Sequence, residues 1–274
     1  MSSSDITTAS TASPLARHTR ALALELLQRE RRLALFGAAL MALLLPLVLM
    51  LLFDDRSLRG ANVWLKPIKF ALSIALFTWT TAWLIGHLPA SRRSSRAVDM
   101  IVWMLIGAGS FEWTYITLQA ALGQASHYNV ADAWHATMYS LIGVGAVAMT
   151  STQVLLAWQL FRHSDPRRPA AFRAAVLIGL LLTFVLGTAV GGLLSGIQPP
   201  TAAAPLPLFG WSLAGGDLRP AHFVAIHAQQ LMPLAGYAAI TVWPRRARSI
   251  VAASTIALCC TMLVLVASGL AGQS

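Results

Sequence analysis

The sequence predicts an all-α fold, a polytopic membrane helix bundle with seven transmembrane helices, its N-terminus cytoplasmic and its C-terminus extracytoplasmic. Three observations predict it. Hydrophobic residues make up 57% of the 274-residue chain and charged residues 11%, where a soluble domain carries roughly 25% charged residues. The apolar residues gather into seven runs, each long enough at about 20 residues to cross a bilayer. The arginines lie mostly between these runs, and arginine-rich connections alternate with arginine-poor ones, which sets the orientation.

The expected division is a disordered tail over 1–14, a basic juxtamembrane helix over 15–32, a seven-helix transmembrane domain over 33–270 and a short C-terminal tail over 271–274. The opening stretch MSSSDITTASTAS is small and polar and cannot bury a core. Ser13 followed by Pro14 reads as an N-cap with proline at the first helical position. The apolar run after Arg32 is longer than the 7–15 residues of a signal-peptide core, and no small-residue cleavage site follows it, which argues against a signal peptide.

The spans are expected near Leu33–Phe53, Pro67–Leu88, Val98–Leu122, His135–Phe161, Ala171–Ser195, Ala221–Trp243 and Ile250–Leu270. Pro46 predicts a kink in the first. In the fifth, Gly179, Thr183, Gly187, Gly191 and Ser195 place a small residue at every fourth position, a ridge on which another helix can pack closely. The sixth carries His222, His227, Gln229 and Gln230, then Pro233. That proline cannot donate to the carbonyl of Gln229, so this span reads as an interrupted helix. The seventh has no lysine, which excludes a Schiff-base retinal protein. Between the fifth and sixth spans a long proline-containing connection ends in an apolar LFGW stretch; a lid over the bundle mouth and a disordered loop are both open readings. The helix starts LKPIKF and LRPAHF resemble one another and would pair Lys69 with His222 if the halves were a parallel repeat.

Imidazoles, amides and carboxylates are costly in hydrocarbon and usually face a bundle interior. At about 1.5 Å per residue, these groups converge on the outer half of the membrane. Lys66 and Lys69 open the second span, Gln119 and Glu112 lie near the outer end of the third, His135 starts the fourth, and Arg219, His222 and His227 open the sixth. One outward-facing polar pocket is therefore expected. Neutral imidazole is a frequent metal ligand, so one reading is a b-type haem or metal ion. His135, His222 and His227 are the candidate cofactor ligands, and Glu112 joins them as a metal ligand. His222 and His227 are five apart, turned by about 140° on a regular helix, which disfavours their binding one ion unless the helix is distorted. The alternative is a permease or binding protein for a small anionic or zwitterionic solute, held by Lys66, Lys69, Gln119, Arg219, Gln229 and Gln230. A third reading is a non-catalytic membrane subunit or assembly factor. For Glu112, a plain structural pair with Lys69 stands beside any functional role. Asp132, three residues after Asn129, matches a helix-capping pattern, and His127 reads as a solvated loop residue.

The net charge of +10 does not indicate nucleic acid, because the arginines punctuate apolar segments instead of forming a basic face. The expected partners are a lipid bilayer and a small solute, and the arginine, alanine and leucine bias points to a bacterial inner membrane. Cys259 and Cys260 are adjacent in an apolar run and read as small hydrophobes. No nucleophile elbow, phosphate loop or dinucleotide fingerprint occurs.

Overall fold

The computed structural model describes residues 13–200, 206, 209–212 and 214–271. Helix α1 (Pro14–Arg29) begins where Ser13 Oγ accepts the amide of Ala16 at 3.2 Å. It ends at Glu30, which is extended and whose carboxylate accepts the amide of Arg32, starting α2 (Arg31–Ala42). Arg31 and Arg32 thus belong to the first membrane helix and not to the basic helix before it. Leu43 separates α2 from α3 (Leu44–Phe53). This break lies three residues before Pro46, in the turn whose Ala42 carbonyl the proline ring crowds and cannot bond.

A tight hairpin follows, β1 (Ser57–Leu58) paired with β2 (Ala61–Asn62). Arg59 and Gly60 turn it with φ of 53° and 76°, the left-handed pair that short hairpins require. The loop is anchored by Asp54, whose carboxylate pairs with Arg56 at 2.6 Å and accepts the Trp64 indole at 2.7 Å. Arg56 also donates to the carbonyl of Ala121, tying the end of α3 to the end of the third span.

The remaining helices are α4 (Leu65–Ile85), the short α5 (Ala90–Arg93), α6 (Arg96–Ala121), α7 (Ala133–His163), α8 (Ala170–Gly196), α9 (Arg219–Ile226), α10 (Ala228–Val242) and α11 (Ala247–Leu270). The fold is an all-α polytopic bundle, with six stretches apolar and long enough to cross a membrane. The sixth sequence segment falls outside that count because it folds as two pieces, of eight and fifteen residues. Large apolar side chains stand on the outside: Leu52, Leu234 and Leu263 are each about two-thirds exposed, as lipid-facing residues are and as a soluble surface would not tolerate in such number.

The helix ends carrying Arg32, Arg96, Arg162 and Arg173 enclose the main core. Leu84, Leu88, Ile101, Leu105, Leu156 and Leu180 belong to it. That half of the bundle is closed by packed hydrocarbon.

The small-residue ridge of α8 carries the interrupted helix. A Cβ at Gly179 would stand 2.8 Å from the Ala228 carbonyl oxygen, one at Gly187 3.3 Å from Ile226, and one at Gly191 3.1 Å from His222. Contacts in that order mean that α9 and α10 run antiparallel to α8 along most of its length.

Candidate functional site

The break between α9 and α10 falls at His227 (φ −95°, ψ 5°). The sequence places the interruption at Pro233, but Pro233 lies inside α10. The backbone N–H of Gln229, which an unbroken helix would return to Ala225, instead donates to Thr183 Oγ1 of α8 at 2.8 Å. A neighbouring hydroxyl therefore satisfies the break, as buried irregular backbone in a membrane requires. Freed from regular geometry, His227 reaches Gln230 Oε1 at 3.3 Å, and Gln230 Nε2 donates to Thr80 of α4 at 3.1 Å. These side chains join α10 to the facing side of the bundle.

Lys66 lies deeper among its neighbours than its place at a helix start implies. Its ammonium donates to Ser126 Oγ at 2.8 Å, and that hydroxyl lies 3.2 Å from His127 Nδ1. His127 is packed between the rings of Phe70 and Tyr139, so it is not a solvated loop residue. Burial, with the charge of Lys66 added, holds its imidazole well below the usual histidine range. His222 lies within electrostatic reach of both His127 and His227. His127, His222 and His227 therefore lie in succession at this end.

Glu112 of α6 is 7% exposed. Among the described residues no hydrogen bond or ion pair reaches its carboxylate, and the charge it feels is that of Lys66, across a gap and not in contact. The pairing of Glu112 with Lys69 does not form. Lys69 Nζ donates to the carbonyl of Phe209 at 2.7 Å.

Arg219 is fully engaged by Asp217. Their closest approach is 2.6 Å, and the guanidinium also donates to the carbonyl of Gly210. Burial opposes ionisation of Asp217, but the hydrogen bonds from Arg219 and from the amide of Ser212 outweigh it and hold the carboxyl below its ordinary range. This pair shapes the connection after α8. Phe209 and Trp211 pack on Phe223, and the Phe223 ring covers His227 at 4.2 Å between centroids. The described part of the apolar stretch thus lies on the bundle mouth; Thr201–Pro205, Pro207, Leu208 and Leu213 lie outside the described residues.

His135 does not join the cluster. Its Nδ1 meets Asp132 at 2.6 Å and its Nε2 meets Gln124 at 3.1 Å, so neither ring nitrogen is free for a metal. Asp132 itself, and not Asn129, is the N-cap of α7, accepting the His135 amide. Among the described residues no three histidine, cysteine or acidic side chains stand close enough to hold a metal ion.

What the break at His227 presents instead is a set of polar atoms without partners among the described residues. Nε2 of His227 and both ends of the Gln229 amide are buried with no hydrogen-bond partner among the described residues. Buried polar groups are rarely left so, and several in one region mark a place built to receive hydrogen-bonding matter. No family model, curated protein or solved structure matches the chain.

Proposed function

We propose that this is a bacterial inner-membrane protein that binds a small zwitterionic or anionic solute, as a permease or membrane receptor, at the end of the bundle where α4, α6 and α9 begin or end. Seven crossings are assigned, with α9 and α10 together making the sixth. The arginine-rich helix ends then face the cytoplasm and the site faces outward.

The observation that carries this reading is the separation of Lys66 and Glu112. Opposite charges in a low-dielectric interior gain most by contact, yet Lys66 is held by Ser126 and Glu112 stands unbonded. A zwitterion satisfies both, its acid group on the ammonium and its amine on the carboxylate. His127, linked to Lys66 through the Ser126 hydroxyl, adds hydrogen-bonding atoms beside the ammonium. The arginine-lined half is shut by the leucine core, so passage of a solute requires those helices to part. The donor set does not favour haem or metal, because His135 is committed to Asp132 and Gln124.

The test is a melting-temperature screen of the purified protein with α-amino acids, betaines and small carboxylates, followed by proteoliposome uptake of any hit. Glu112→Gln and Lys66→Gln each abolish the ligand-dependent shift, and His135→Ala leaves it intact. A ligand shift that survives both charge variants, or a stoichiometric Soret band in the pure protein, replaces this reading.

A further inference from the structure

A second site lies at the opposite end. Where α7 meets α8, a small cleft of about 20 Å³, open at its mouth, is lined by the apolar Phe172, Val176 and Leu177 and by Arg168, Arg173 and His87. The two arginines are half-buried, and the Nε of each is covered and finds no partner among the described residues. Asp165, the nearest acid in sequence, spends Oδ1 on the backbone amide of Arg167. Neighbouring arginines show the ordinary outcome: Arg29 pairs with Glu25, Arg32 with Glu30 and Asp99, and Arg93 donates to the carbonyls of Gly86 and Leu88.

The position of Arg173 sharpens the contrast. It occupies the first turn of α8, which carries no acidic residue. A cation at the positive end of a helix dipole is disfavoured, and an anion there is favoured both by the dipole and by the free backbone N–H groups. Half-buried guanidiniums that no acid contacts among the described residues, Asp165 being turned to the Arg167 amide, and a helix start without an acid together call for an anion from outside the chain. A planar guanidinium fork matches phosphate oxygens two at a time. The apolar wall then decides the source, since the partly exposed Leu177 leads from the cleft to the exposed Leu181 and Val185, each one turn further along α8, a stripe on which a hydrocarbon chain can lie. We propose that this cleft binds the phosphate of an anionic phospholipid, with Arg168 and Arg173 holding the headgroup and an acyl chain lying against α8.

The experiment compares melting of the full chain in detergent with added phosphatidylglycerol, phosphatidylcholine or inorganic phosphate. Phosphatidylglycerol raises the melting temperature by roughly 5 °C, and phosphatidylcholine and phosphate do not. Arg168→Gln with Arg173→Gln removes that shift, while Arg167→Gln on the same loop keeps it. Because the two guanidiniums have no hydrogen-bond partner among the described residues to lose, the double variant melts no lower than the parent in phosphatidylcholine. Native mass spectrometry counts one tightly held anionic lipid fewer on the double variant. Equal shifts from both lipids, a shift retained by the double variant, or a shift produced as well by inorganic phosphate each overturn the proposal.

Discussion

Thr183→Val isolates what holds the sixth helix in two pieces. Valine keeps the shape of threonine and removes its hydroxyl. In the parent that hydroxyl donates to the Gly179 carbonyl at 2.9 Å and accepts from the Gln229 amide at 2.8 Å. Thr183 and Gln229 are both fully buried. The two losses are unequal. The Gly179 carbonyl keeps its place in the α8 ladder, whereas the Gln229 N–H is left with no acceptor. An orphaned buried donor costs about 1–3 kcal/mol. At about 2 kcal/mol, a chain of this size melts roughly 4–8 °C lower. The assay is thermal unfolding in detergent followed by tryptophan fluorescence, with Thr183→Ser, which retains the hydroxyl, restoring most of the loss. Pro233→Ala supplies the contrast: it returns a donor to the Gln229 carbonyl but leaves the Thr183 bond and the break at His227 in place. A Thr183→Val protein melting within about 1 °C of the parent would refute the assignment, as would a Pro233→Ala protein whose His227 region becomes regular helix by hydrogen-exchange mass spectrometry.

Two further outcomes follow from the same contacts. Gly179→Ala presses a methyl against the Ala228 backbone and Met232 and lowers stability by about 1–3 kcal/mol; Gly192→Ala, which meets nothing within 4 Å, gains about 0.5–1 kcal/mol from helix propensity, and chemical or thermal unfolding separates the two. The depressed His127 imidazole, faced by Lys66, Ser126 and His222, favours the neutral ring in the folded state. Its stabilisation is complete above the unfolded histidine value of about 6.5 and is lost as pH falls through the lower folded value, so acidification from neutral pH lowers the melting temperature more in the parent than in His127→Gln.

The outline of the molecule was legible in the chain because bilayer solvation acts residue by residue. Twenty apolar residues in a run must become a helix, since no other single segment satisfies its own backbone in hydrocarbon. The span boundaries at Phe53, Ala121 and Leu270 therefore fall within a residue or two of where composition changes. Ser13 and Pro14 start α1 as local chemistry dictates, and the ridge from Gly179 to Gly191 receives a helix, because small side chains permit close approach whatever the partner. The placing of Lys66, Gln119, His127 and His222 toward one end of the bundle follows from helix direction and residue count.

Which polar groups meet was decided by tertiary structure. Rotation about each helix axis, and the partner a side chain finds across a gap, do not appear in a single strand of text. Thus His135 turned to Asp132 and Gln124, Arg219 to Asp217, and Lys69 to a loop carbonyl, while Lys66 was left to Ser126 and, through it, to His127, and Glu112 to no partner among the described residues. The break at His227 has the same origin: proline advertises a missing donor at its own position, but the backbone opens where a hydroxyl on another helix is waiting to accept.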